Sequence, residues 1–101
     1  MTGEEFRNAC LECADSYESE HMGHPDFRVK RGIFATLNAD ESVGVLRLPL
    51  EFAEAFLPTA SHVSVMGRQK NALWLGIQLQ PAEITETREL IELAHEFRCK
   101  K

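Results

Sequence analysis

Few of the features that mark a specialised class of protein occur in this chain. It holds one tryptophan, one tyrosine, four prolines and six glycines in 101 residues. That is too little Gly and Pro for a collagen-like or low-complexity chain, and 44% hydrophobic residues are too many for a disordered one. No apolar run approaches the roughly 20 residues of a membrane-spanning helix. The opening Met1-Thr2-Gly3-Glu4-Glu5 lacks the basic-then-apolar order of a secretory leader. The sequence thus predicts one cytoplasmic domain with no membrane partner, and a monomer.

An excess of positive charge is also missing. Eleven Lys+Arg against sixteen Asp+Glu leave a net charge of −5, which disfavours indiscriminate polyanion binding through long-range attraction. The deficit is uneven. Residues 1–26 carry −6 and residues 83–101 carry −1, whereas residues 27–82 carry +2. A local basic face can therefore be built only from the middle of the chain, because distant charges are screened within about 8–10 Å at cellular salt.

Cysteine is scarce and odd in number. Cys10-Leu11-Glu12-Cys13 is a C-x-x-C, but it lies two turns into an N-terminal helix instead of at a helix start, and Cys99 stands alone. Packed, reduced thiols are the expectation. His21 and His24 are three apart, and on a strand such residues face opposite ways, so the pair supplies no common metal face. His24 is expected to be a turn residue whose ring bonds nearby backbone. No H-E-x-x-H, nucleophile elbow, phosphate-cradling loop or dinucleotide fingerprint is present. The sequence predicts no catalytic residue, no metal and no cofactor.

What is present is a clear alternation of elements. Thr2 and Glu5 form a capping box, and Phe6, Ala9, Cys10, Cys13, Ala14 and Tyr17 follow as one apolar stripe, predicting a helix over 3–15. Phe27–Val29 and Ile33–Leu37 read as strands joined by a Lys30-Arg31-Gly32 turn, and Val43–Leu48 as a third. A short helix over 50–57 starts behind Pro49. Strands at His62–Met66 and Leu73–Leu79 and a helix over 85–98 complete the series. Short connections favour antiparallel pairing, hence an α+β fold with helices on one face of a five- or six-stranded sheet. Phe6, Cys13, Phe34, Leu46, Leu48, Phe56, Ile77, Leu90 and Phe97 are the predicted core.

Gly23-His24-Pro25-Asp26-Phe27-Arg28-Val29, followed by Gly32-Ile33-Phe34-Ala35-Thr36-Leu37, is the most specific run in the chain. With Leu46-Arg47-Leu48-Pro49, Gly67-Arg68, Trp74-Leu75-Gly76-Ile77-Gln78-Leu79 and Arg88-Glu89-Leu90-Ile91, it resembles the MmcQ/YjbR family of small bacterial proteins. Arg31, Ile33 and Leu73 depart from the family pattern. The resemblance implies a frataxin-like (CyaY-like) sheet and associates the chain with DNA binding of the double-wing type. Residue by residue, Gly23, His24, Pro25 and Phe27 read as a structural motif: Gly23 for a backbone conformation, Phe27 and Val29 for the core, and Arg28 left as a charge on the opposite face. Arg28, Lys30, Arg31, Arg47, Arg68, Lys70 and Trp74 are the candidate nucleic-acid-binding residues, with the Lys30-Arg31 turn and the Gly67–Asn71 turn as two wings. The alternative partner is an acidic protein or a small anion in the same groove.

Overall fold

The first helix starts where its capping box places it. Thr2 Oγ1 accepts from the Glu5 N–H at 3.0 Å, and the Glu5 carboxylate accepts from the Thr2 N–H at 2.8 Å. This opens α1, Gly3–Glu12, in the computed structural model, which describes residues 1–100. The helix stops three residues short of the expected end. The Ser16 hydroxyl lies 2.8 Å from the carbonyl oxygens of both Cys10 and Cys13, and Asp15 turns the chain with φ 61°. Tyr17 consequently leaves the apolar stripe. It begins β1, Tyr17–His21, and stays half-exposed.

Met22 (φ 51°) and Gly23 (φ 84°) join β1 to β2, His24–Val29, by a two-residue reversal with both central residues left-handed. That is the type I′ hairpin, which matches the natural twist of the strands. The next reversal, Lys30-Arg31, leads into β3, Gly32–Leu37, with its positive φ of 135° on Gly32 instead. Then follow β4 (Val43–Pro49), α2 (Leu50–Phe56) and a single 3-10 turn over Leu57–Thr59. β5 (Val63–Arg68), β6 (Ala72–Gln78) and α3 (Ile84–Cys99) complete the fold. Glu83 caps α3 by accepting from the Thr85 and Glu86 N–H groups.

All six strands pair antiparallel in the order β1-β2-β3-β4-β6-β5. Ala35, Leu46 and Leu75 stand opposite one another across three strands, on the face that the helices cover. Phe6 and Cys10 of α1, Ala53 of α2, and Leu90, Ile91 and Ala94 of α3 close the core over them. Burial on this scale is the main stabilising term, roughly 1.5–3 kcal/mol for each large apolar side chain. Three predicted core positions are only partly buried. Cys13 lies beyond the last turn of α1, Phe56 stacks on exposed Phe52 at 5.8 Å, and Phe97 is covered by a charged Arg47 instead of an apolar neighbour.

The pairing gives the molecule two distinct ends. The β2–β3 turn, the C-terminal part of β4, the β5–β6 turn and the C-terminus of α3 meet at one of them. At the other are the β1–β2 turn, the β3–β4 loop and the N-termini of α1 and α3. There the Met1 ammonium donates to the carbonyls of Leu79 (2.9 Å) and Ala82 (3.1 Å). No described helix is long and apolar enough to cross a membrane.

Candidate anion-binding site

At the first end the chain collects cations that are far apart in sequence. A concavity of about 310 Å³ is lined by Arg31, Arg47, Asn71, Phe97, Arg98 and Lys100. No carboxylate is among these residues. Arg31 arrives on the β2–β3 turn, Arg47 on β4, Asn71 on the β5–β6 turn, and Arg98 and Lys100 at the end of α3. Of these, only Lys100 has an acidic partner among the described residues, Glu96 one helical turn back at 3.5 Å.

Arg47 forms the floor and is 9% exposed. Its Nε donates to Gln69 Oε1 at 2.9 Å, and its guanidinium sits 4.8 Å from the centroid of the Phe97 ring. The aromatic face partly compensates the buried charge through the ring quadrupole. Burial, and after it the neighbouring Arg98 charge, pull Arg47 below the usual guanidinium range. Arg98 lies across Gly32, where a Cβ would come within 2.2 Å of its Nη2. The missing side chain at Gly32 lets the guanidinium cross the sheet end. Arg98 Nε is buried with no hydrogen-bond partner among the described residues. Like charges drawn this close with an unsatisfied donor are unfavourable unless an anion completes the set.

The predicted nucleic-acid residues divide between several places. Arg31 and Arg47 meet in the pocket, with Lys30 exposed beside Arg31 on the turn. Arg68 and Lys70 are exposed on the second wing. Arg68 lies 3.5 Å from Glu54 of α2, and Lys70 is beside Pro49, Leu50 and Glu51. Trp74 stands opposite Arg47 in the β4–β6 ladder and is half-buried.

Arg28 is elsewhere, and it is not a free surface charge. Its Nε and Nη2 donate to Asp26 Oδ1 (2.7 Å) and Oδ2 (3.0 Å), and His21 donates from Nδ1 to Oδ2 at 2.6 Å. Asp26 is fully buried. The Arg28 hydrogen bonds, and secondarily that of His21, hold its carboxyl below the usual carboxylate range against the opposing effect of burial.

In the GHP motif, Gly23 supplies the left-handed turn residue and Phe27 packs edge-on to Phe6 at 6.2 Å. His24 departs from expectation. The hairpin sets it directly opposite His21, with ring centroids 4.6 Å apart, and its buried Nδ1 has no partner among the described residues. Residues three apart face opposite ways on a straight strand, but a two-residue turn between them brings them to the same face. The helix-free face of the sheet holds a second groove, about 330 Å³, lined by His24, Thr36, Asn38, Val43, Val45, Ser64, Met66, Gly76 and Gln78. Apart from the imidazole it has no ionisable side chain. A smaller cleft between α1 and α3 contains Glu12, Cys13, Arg88, Glu92 and His95, with Arg88 paired to Glu12.

Arg98 and Lys100 were not legible as site residues. They follow the last apolar position of α3 and read as ordinary cations at a helix C-terminus.

These features define an antiparallel α+β protein whose helices cover one face and whose Arg31, Arg47, Arg98 and Lys100 gather at one end. No protein-family model and no curated protein matches the chain. Among solved structures it is similar to Deinococcus radiodurans protein DR2400, a DUF419 domain. The identity is 17%, the match covers 99% of this chain and 80% of that one, and the TM-score is 0.79. The two proteins share a fold.

Proposed function

We propose that this chain is a non-catalytic module of MmcQ/YjbR type that binds nucleic acid through phosphate contacts at the basic end of its sheet. The observation that carries the reading is the convergence of Arg31, Arg47, Arg98 and Lys100 on one acid-free pocket, flanked by Lys30 on one turn and Arg68 and Lys70 on the other. Phosphate contacts of this kind supply most of the affinity of a nucleic-acid-binding protein and fix its register. The pocket offers cations, an amide and a phenyl ring. None of these accepts a proton near neutral pH, which favours binding over acid–base chemistry.

The docking surface in this reading is the end of the sheet and not its open face. Arg28 is bound to Asp26 there, and the groove beside it is lined by no Lys or Arg.

The test is a fluorescence-anisotropy titration against duplex and single-stranded DNA at low and physiological salt. Four phosphate contacts on a duplex give a log–log salt slope of about −3.6. Arg31→Glu with Lys70→Glu reverses one exposed charge on each turn and should abolish binding without unfolding the domain. Absence of binding at low salt, where electrostatic attraction is greatest, refutes the proposal.

A further inference from the structure

We infer that the pocket holds a phosphomonoester, the terminal phosphate of a strand or of a small phosphorylated molecule, in preference to an internal phosphodiester. The inference rests on the phosphate-binding reading above and specifies its ligand.

Three features of the pocket lead to it. The first is charge. Three guanidiniums and one ammonium line the concavity, and only Lys100 has an acidic partner among the described residues. A phosphomonoester carries about −1.5 to −2 at neutral pH, against −1 for a diester, and so offsets more of the repulsion between Arg47 and Arg98.

The second is access. Arg47 lies at the bottom with 9% exposure, walled by the Arg31 turn, Asn71 and the end of α3. An internal phosphate is tethered on two sides and would have to drag both continuations of its backbone into the concavity. A terminus enters with one tether.

The third is the donor set. Guanidinium forks bind phosphate oxygens in bidentate fashion. A monoester presents three non-bridging oxygens to the guanidiniums that line the pocket, where a diester presents two. The neighbouring exposed cations Lys30 and Lys70 would then meet the next phosphates of a strand, which a small molecule lacks.

The experiment compares one short single strand in three forms, 5′-phosphorylated, 3′-phosphorylated and unphosphorylated, together with a nucleoside 5′-monophosphate, by competition anisotropy at low and at physiological salt. At least one phosphorylated end is expected to bind about tenfold tighter than the unphosphorylated strand, equivalent to about 1.4 kcal/mol. That preference should shrink as pH falls through about 6, where the monoester loses its second charge. Arg98→Gln should abolish the preference, and Arg88→Gln, toward the N-terminal end of α3 in the cleft with Glu12, should keep it. A thermal melt of Arg98→Gln at or above that of the parent excludes misfolding as the cause, since the substitution removes a like charge. A monophosphate binding as tightly as the phosphorylated strand makes the source a small molecule, which supports the monoester and refutes the nucleic-acid reading. Equal affinity for all three strand forms refutes the monoester and leaves the nucleic-acid reading intact. No binding by any strand or by the monophosphate at low salt refutes both.

Discussion

Asp26→Asn isolates the buried carboxylate of β2 with almost no change in shape. Asp26 accepts three hydrogen bonds, at 2.6, 2.7 and 3.0 Å, from His21 and Arg28. Bonds of this kind to a charged group contribute roughly 1.5–3 kcal/mol each when shielded. The donors here are partly solvated, with side-chain exposures of 39% for His21 and 32% for Arg28, so the sum must be discounted. An asparagine keeps one acceptor oxygen and turns an N–H₂ toward a donor. The net loss expected at neutral pH is about 2–3 kcal/mol, on the order of a 10 °C fall in Tm for a domain of this size. The pH dependence carries a definite sign. Because the folded carboxyl titrates below its ordinary value, near 3.9 when unfolded, its stabilisation is complete above that value and is lost as pH falls through the folded one. Urea denaturation of parent and variant between about pH 3 and pH 7 should therefore show curves that are separated at neutral pH and converge in acid. A difference under about 0.5 kcal/mol at neutral pH, or curves that stay parallel into acid, would show that Asp26 is not an organising charge.

Two further outcomes are accessible to simple assays. Gly23 has a φ of 84° and open space where a Cβ would go, so the demand is torsional and not steric. In thermal melts Gly23→Asn should be nearly neutral and Gly23→Val should cost about 1–3 kcal/mol; equal losses would show that the turn conformation is not what matters. Burial raises the Cys10 thiol well above its ordinary value, and burial followed by the Glu92 and Glu12 charges pushes Cys13 up to about 11. Alkylation of the native protein at mildly alkaline pH should modify exposed Cys99 first, with all three thiols reacting after denaturation, and rapid labelling of Cys13 in the native state would refute this burial argument.

Much of the fold was legible because its signals are local. The Thr2/Glu5 capping box, the alternation of Leu73, Leu75 and Ile77, and the stripe of Leu90 and Ala94 each declare an element without reference to the rest of the chain. β1 was not legible as a strand. Tyr17-Glu18-Ser19-Glu20-His21 is a polar edge strand with one face in solvent, so it has no apolar alternation to read. The end of α1 was missed because one serine hydroxyl and one left-handed Asp15 decide it. The candidate site was half legible. Arg31 and Arg47 stand out in a positive stretch of sequence, but their meeting with Arg98 depends on α3 crossing Gly32, a contact between residues 66 positions apart. The role of Arg28 was hidden for a similar reason. Its partner Asp26 sits two residues away on the same strand face, and only burial of that face's carboxylate turns an ordinary i, i+2 pair into an organising one.

The two ends of the sheet give the molecule an electric dipole that its net charge conceals. Asp40 on the β3–β4 loop, Glu4 and Glu5 at the start of α1 and Glu83 and Glu86 at the start of α3 lie opposite the Arg47–Arg98 pocket, while Glu41 beside them is neutralised by Arg7. Toward a polyanion the monopole of −5 repels the whole molecule, while the dipole exerts a torque that turns the basic end forward. The dipole's field falls off faster with distance, so repulsion governs far approach and orientation takes over only at close range. Very dilute salt, which lengthens the reach of the monopole to about 30 Å at 0.01 M, would slow encounter even as it tightens the complex once formed. For a protein of this charge pattern, association rate and affinity need not respond to salt in the same direction.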